Sequence, residues 1–381
     1  MKQNIARQTL TLLQHYIDAL GFKPVVHFEL EGCYAFPANT NQQKLDFSAV
    51  NTILSSLNIA GELIPEYWRN QWEYVSKFNG QSPVEEADNL AEVIKKLPAI
   101  FALQGVSETL IKPVVWSGDK GKLASNCENV FTADSRSVHI PNAVQINVSV
   151  LNRNKENLVA NTEFGQYLQQ SFIKRSLACC LLYLPEEEAF ERLALKTRFG
   201  LAQELCSPVN ISGGHQGSIA LYKELGKHNQ AMGVKTLLVD KYNKVLASES
   251  HWQETARVEH RLGASSVHYC PYTNLVFALL NVIDALHTFR NDRPLDELLP
   301  DVLLPTSLKN DEHSQGAITI FERDNWFNQR INEVQQTFIN ELDIAVADKK
   351  MFREFPENLG DVLKKSILDK YQQRHEIIFT Q

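Results

Sequence analysis

The sequence predicts an α+β fold, a mostly antiparallel sheet backed by helices. Three observations carry that expectation. Several short segments alternate strictly between one apolar face and one polar face, as strands of a one-sided sheet do. Helical patterns lie between and after them without the regular strand-helix-strand alternation of a parallel sheet. No internal repeat and no long polar tract interrupts the 381 residues.

The first element is MKQNIARQTLTLLQHYIDALG, in which Leu13, Tyr16, Ile17 and Leu20 recur at helical spacing and Gly21 closes the helix. Gln14, His15 and Asp18 interrupt the apolar run, so it is no signal peptide. PVVHFELE follows as a strand. Val26, Phe28 and Leu30 take one face; His27, Glu29 and Glu31 share the other. Two like charges at that spacing repel, so the pair calls for solvent, a basic partner or a metal. A half-exposed strand with its polar side in water remains the plainer alternative. YWRNQWEYVSKF alternates again, with Arg69, Gln71 and Glu73 on one face. SPVEEADNLAEVIKKL opens a helix through a Ser82/Glu85 capping box with Pro83 in the first turn, and Pro98 is expected to limit it. Residues 116–142 are loop-like and rich in small residues. AVQINVSVL then places Val144, Ile146, Val148 and Val150 opposite Gln145, Asn147 and Ser149. Helical patterns cover 163–205, a glycine-rich loop covers 210–218, and VKTLLVD reads as a strand. RVEHRL contributes Arg257, Glu259 and Arg261 at alternate positions before the long helix YTNLVFALLNVIDALHTF. A proline-rich connector leads to two or three amphipathic helices between 320 and 375.

Composition narrows the function classes. Thirty-eight basic against 45 acidic residues give a net charge of −7, without the lysine and arginine block that tracks a phosphate backbone, so nucleic acid is not an expected partner. LACCLLYL, the longest apolar run, is too short to span a bilayer, and no membrane partner is expected. Cys33, Cys127, Cys179, Cys180, Cys206 and Cys270 form neither a C-x-x-C pair nor a disulfide framework, which fits a reducing cytoplasm. Cys179 and Cys180 read as core residues, His260 and His268 as packing or solvent-facing, and His215 as part of a surface turn.

If the alternating strands pair, their polar faces merge into one surface. Carboxylates, amides and arginines are segregated there, where an ordinary solvent face would carry Thr, Lys and Ser. Clustered carboxylate and amide oxygens suit hard cations such as Mg²⁺ or Mn²⁺.

ALGFKPVVHFELEGCYAF (19–36), PEYWRNQWE (65–73), VQINVSV (144–150), NQAMGVK (229–235), RVEHRL (257–262) and CPYTNLVFALLNVIDAL (270–286) occur in an order that resembles the catalytic domain of the glutamine synthetase family. That family includes the γ-glutamyl-polyamine ligases. The resemblance implies a glutamine synthetase catalytic-domain-like fold, with a funnel-shaped site on an antiparallel sheet that holds two metal ions between ATP and an amino-acid substrate. It divides the chain into a catalytic core over 1–295 and a C-terminal helical extension of the same domain over 296–381. By position, one metal site resembles Glu31, Glu66 and Glu73 with Gln71 beside them. The second resembles Glu29 and Glu259 with Gln145 at a position the family gives to histidine. Arg257 and Arg261 match the phosphate-contacting arginines, and Ser149, Asn147 and Lys235 fall at nucleotide-side positions. Glu224 lies near the family's flap glutamate.

The departures matter equally. The His-x-His pair is Gln145 and Asn147, the preceding turn is PNA, the phosphate-gripping motif reads Asn229, Gln230 and Lys235, and Gly214 follows Asn210 where a substrate-binding arginine is expected. An arginine fork on phosphate is not equivalent to an amide or a lysine. The family's N-terminal small domain, which completes a neighbouring subunit's site, has no counterpart before the first helix, so the resemblance implies either a separate protein partner that supplies that element or a funnel left open to water. Two functions stay open: an ATP- and Mg²⁺-dependent ligase joining a small-molecule carboxylate to an amine through an acyl phosphate, and a catalytically weakened relative that acts as a binding or regulatory subunit.

Overall fold

A computed structural model describes residues 2–37, 44–77, 80–117, 138–198, 211–212, 218–223, 252–296, 302–340, 350 and 352–378. Helix α1 (Lys2–Ala19) ends where the sequence indicates: Gly21 takes φ +89°, its N–H bonds Asp18 O, and Phe22 N–H reaches back to Ile17 O. The positive φ is what favours glycine there, since the nearest atoms to a side chain at that position belong to the flexible end of Arg153.

Strand β1 (Lys23–Ala35) is the hub of the sheet. It pairs antiparallel with β3 (Gln71–Ser76), β7 (Ala143–Leu151) and the short β4 (Glu108–Leu110). β2 (Gly61–Pro65) flanks β3; on the far side β10 (Arg257–Ala264) follows β7, then β9 (Ile219–Tyr222) and β8 (Ile211–Ser212). Among the described residues the main-sheet order is β2-β3-β1-β7-β10-β9-β8, and only β8 and β9 run parallel. β5 (Val114–Ser117) and β6 (Val138–Pro141) make a separate hairpin.

Val26, Phe28, Leu30, Trp72, Tyr74, Val144, Ile146, Val148 and Val258 form the apolar side, buried under helices. α1 and α3 (Pro83–Ala102) cover this side, with the long helix Pro271–Arg290 behind it. Nearly every residue of Pro271–Leu286 is buried, as expected for a helix apolar on all sides. α2 (Phe47–Ser56) packs on β2, while α4 (Leu158–Asn161) and α5 (Phe164–Ser176) follow β7. α6 (Glu187–Arg198) and α7 (Trp252–Thr255) precede the long helix, here α8. Among the described residues, helices α9 (Ala317–Arg323), α10 (Trp326–Asn340) and α11 (Leu359–Ile378) occupy the C-terminal region where the periodicity predicts two or three helices.

The Ser82/Glu85 capping box forms in both directions. Two local expectations are corrected. Pro98 does not end α3, which continues to Ala102. Pro98 sits on the exposed side while Leu97, Ile100 and Phe101 are buried, so core packing carries the helix past the missing hydrogen bond. Arg69 is not a strand residue. The chain turns through Asn70 at φ 61°, Gln71 N–H bonds Trp68 O, and β3 begins only at Gln71. The expected strand VKTLLVD and most of the 116–142 loop lie outside the described residues.

Candidate active site on the polar face of the sheet

Strand register gathers the polar side chains into cross-strand rows. Glu31 lies opposite Glu73, Glu29 opposite Gln145, and His27 opposite Asn147, which in turn faces Glu259. Arg257 lies opposite Tyr222 on β9. Glu66 follows β2, and its N–H bonds Gln71 O across the β2–β3 turn. The alternation in the sequence therefore becomes one continuous face, with Glu29 and Glu259 separated by a single strand.

This face is not a solvated sheet surface. Gln71, Gln145, Asn147, Ser149 and Glu259 are all buried, and Glu29, Glu31, Arg257 and Arg261 are half-buried. Charges at that depth need partners, and the structure provides them. Glu31 accepts from Ala143 N–H at 2.8 Å, with Gln145 Nε2 at 3.5 Å. Asn147 bridges two elements of the site: its Nδ2 donates to Glu29 at 3.0 Å, and its Oδ1 accepts from Arg257 Nε at 2.6 Å. Glu259 sits between two arginines, 3.5 Å from Arg257 Nη2 and 3.5 Å from Arg261 Nε. Gln71 does not reach toward the carboxylates; its amide donates to buried Asn142, and its oxygen accepts from Trp68 N–H.

Two participants escaped the sequence reading. Tyr222 stacks under Arg257, whose guanidinium carbon lies 4.5 Å from the ring centroid. Burial raises its phenol pKa and the Glu259 charge adds to that, so the ring stays neutral. Asn142 is fully buried, accepts from Gln71 and donates to Lys112 O, fixing the turn before β7. The alternation of IALY gave no sign of Tyr222, because only the β9–β10 register brings it beside Arg257.

A divalent cation fits best at the Glu31–Glu73 end. Two half-buried carboxylates oppose each other across β1 and β3 there, and all their donors are oxygen. Among the described residues no three His, Cys, Asp or Glu side chains are already gathered to hold a metal, so ligation requires the carboxylates to swing toward one another. At Glu259 the two arginines already supply compensating positive charge. Lys235, with Asn229, Gln230, Asn210, Gly214, His215 and Glu224, lies outside the described residues. His260 is in the core, where burial pushes its pKa down to about 3; Cys179 and Cys180 are fully buried.

An antiparallel sheet with helices behind it and a buried array of carboxylates, amides and arginines in front defines an α+β protein with an enzyme-like polar face. Comparison with solved structures makes the fold specific: the chain has the fold of glutamine synthetase homologues. It aligns with a novel glutamine synthase homologue at a TM-score of 0.60 and 15% identity, over 98% of this chain and 71% of that one. It aligns with GmaS in complex with ADP at 0.59 and 11%, over 99% and 74%, and with GmaS without ligand at 0.56 and 10%, over 97% and 74%. Neither family profiles nor curated protein sequences match the chain. Among the described residues no helix is long and apolar enough to cross a membrane.

Proposed function

We propose that this protein is an ATP-dependent ligase that joins a small-molecule carboxylate to an amine through an acyl phosphate, with Mg²⁺ or Mn²⁺ held by Glu31, Glu66 and Glu73 and, more weakly, by Glu29, Glu259 and Gln145. The observation that supports it is the register itself, which places Glu29, Glu31, Glu73 and Glu259 on one sheltered face with Arg257 and Arg261. In this reading the substrate carboxylate attacks the γ-phosphorus, ADP leaves, and the amine then forms the C–N bond as phosphate departs and a proton is lost. Arg257 and Arg261 meet the charge on the transferring phosphoryl oxygens. Asn147 and Tyr222 hold Arg257 in place before substrate arrives, which lowers the reorganisation needed in the transition state. Bound metal would neutralise phosphate oxygens and orient them for in-line transfer. Ser149, Asn147 and Lys235 form the nucleotide side. The similarity to GmaS, one form of which holds ADP, also supports nucleotide use. Free buried Cys33, Cys179 and Cys180 suit a reducing cytoplasm.

One observation favours a second reading, a binding or regulatory protein with weakened catalysis. Gln145 and Asn147 donate N–H groups to Glu31 and Glu29, so donors already occupy carboxylate positions that the ligase needs for metal. Phosphate release from ATP and Mg²⁺, measured against a panel of carboxylic acids and amines, separates the two. Release that depends on both co-substrates and disappears in Glu259→Ala supports the ligase. Nucleotide binding with no release across the panel supports the second reading.

A further inference from the structure

The helical side of the molecule carries a second polar site, lined by residues of the helices rather than of the sheet. One stripe of α5, comprising Tyr167, Gln170, Ser171, Lys174 and Arg175, faces Asp284, His287 and Thr288 of α8. Arg330 of α10 and Arg293, just beyond α8, complete a cleft of about 330 Å³. The α5 residues fall at i, i+3, i+4, i+7 and i+8, and those of α8 at i, i+3 and i+4, so each set lines one face of its helix.

The charges in this cleft do not balance. Arg330 has its charge matched by two carboxylates: Nε lies 2.8 Å from Asp284 and Nη1 3.0 Å from Glu333, while Nη2 meets His287 Nδ1 at 2.9 Å. His287 is kept neutral, its pKa lowered by burial and by the Arg330 charge. Lys174 pairs with Asp296. Arg175 has no carboxylate partner among the described residues and rests on the Trp326 ring, 4.7 Å from its centroid; Arg293 likewise has no carboxylate partner there. Among the described residues, two positive charges at one opening therefore have no carboxylate partner.

The neutral groups indicate the same kind of ligand. The Tyr167 hydroxyl donates to Arg293 O, that of Ser171 to Asn281 Oδ1 and that of Thr288 to Asp284 O. The Gln170 amide exchanges bonds with Asp296 through Nε2 and Oε1. With those hydroxyl protons spent inside the protein, the charged donors without a carboxylate partner among the described residues are the N–H groups of Arg175 and Arg293, beside Lys174, which has N–H groups to spare beyond its Asp296 pair. A ligand that offers only acceptors and carries about two negative charges complements this arrangement.

We propose that the cleft between α5 and α8 is a binding site for a small dianion, either a phosphoryl group or a dicarboxylate, separate from the sheet-face site. Inorganic phosphate and succinate, titrated calorimetrically into the full chain against sodium chloride of equal ionic strength, test this and distinguish the two sources. The expected result is saturable one-site binding of at least one of them, weakened fivefold or more in Arg175→Gln and Arg293→Gln and unchanged in Arg257→Gln. Arg293 is exposed and outside any helix, so its variant keeps the fold, which an unchanged melting temperature without anion verifies. Absence of saturable binding by both anions overturns the proposal. Binding that survives Arg293→Gln and is lost in Arg257→Gln overturns it too, by assigning the anion to the sheet face.

Discussion

Glu86→Gln should make the stability of this protein rise more steeply with pH, between about pH 5 and about pH 7, than that of the native protein. Glu86 lies in the first turn of α3, fully buried beside Ser76, Tyr74 and His27, and burial raises its pKa from 4.5 to about 7. His27, on β1, is pushed from 6.5 down to about 4, first by burial and then by the charge of Arg257. Their side chains stand 3.9 Å apart, beyond hydrogen-bond reach, and the opposite shifts are those of two neutral groups rather than an ion pair. Folded Glu86 holds its proton more tightly than the unfolded chain does. Its contribution is therefore complete below about pH 4.5 and is lost as pH rises through about 7. His27 has the opposite sign, contributing fully above about pH 6.5 and losing that contribution as pH falls through about 4. Between those limits the two slopes oppose each other. Removing the Glu86 ionisation removes its downward slope, roughly 1.4 kcal/mol per pH unit, so the variant should gain ~2 kcal/mol on the native protein between about pH 5 and about pH 7, leaving the His27 slope unopposed by Glu86. Urea unfolding followed by tryptophan fluorescence measures this difference. A gap between the two proteins that changes by less than ~1 kcal/mol over that range would refute the burial argument.

Four further outcomes follow from the same geometry. Mn²⁺ should raise the melting temperature, and Glu31→Gln or Glu73→Gln should largely remove the effect while Gln145→Ala leaves most of it; no heat of binding at millimolar Mg²⁺ or Mn²⁺, with or without ATP, defeats the metal assignment. Asn147→Leu should leave Arg257 Nε and Glu29 without their shared partner, lowering any ATP-dependent turnover by roughly 10²-fold with a smaller change in nucleotide affinity; equal loss in both would point to general misfolding. Gly263→Ala places a methyl 2.4 Å from Val144 O at the β10 irregularity, and thermal unfolding should register ~2 kcal/mol or more of destabilisation. Ser82→Ala removes one half of the α3 capping box and should cost about 1 kcal/mol in chemical unfolding, with catalysis untouched.

Much of the fold and the residues of the polar face were legible because both follow from local periodicity. Alternation at His27, Glu29 and Glu31, at Gln145, Asn147 and Ser149, and at Arg257, Glu259 and Arg261 marks a polar face whichever strands later become neighbours, and β1, β7 and β10 carry those residues as expected. Local signals failed where packing outweighed them. Pro98 reads as a stop, yet Leu97, Ile100 and Phe101 bury the next turn of the helix. Arg69 fits the alternation of its segment, yet Asn70 turns the chain before the strand begins.

The sequence by itself determined the strands, their apolar and polar faces, the helix caps and the separation of carboxylates and arginines from the core, because each is set by residues within a few positions of one another. Only the tertiary structure decided which residues work together. Glu31 meets Glu73, Asn147 bridges Glu29 and Arg257, Tyr222 supports that arginine, and Arg175 of α5 shares a cleft with Arg293 beyond α8. These partners are far apart in the chain, and what joins them is strand register and helix packing, set by burial of the whole apolar core rather than by any one segment.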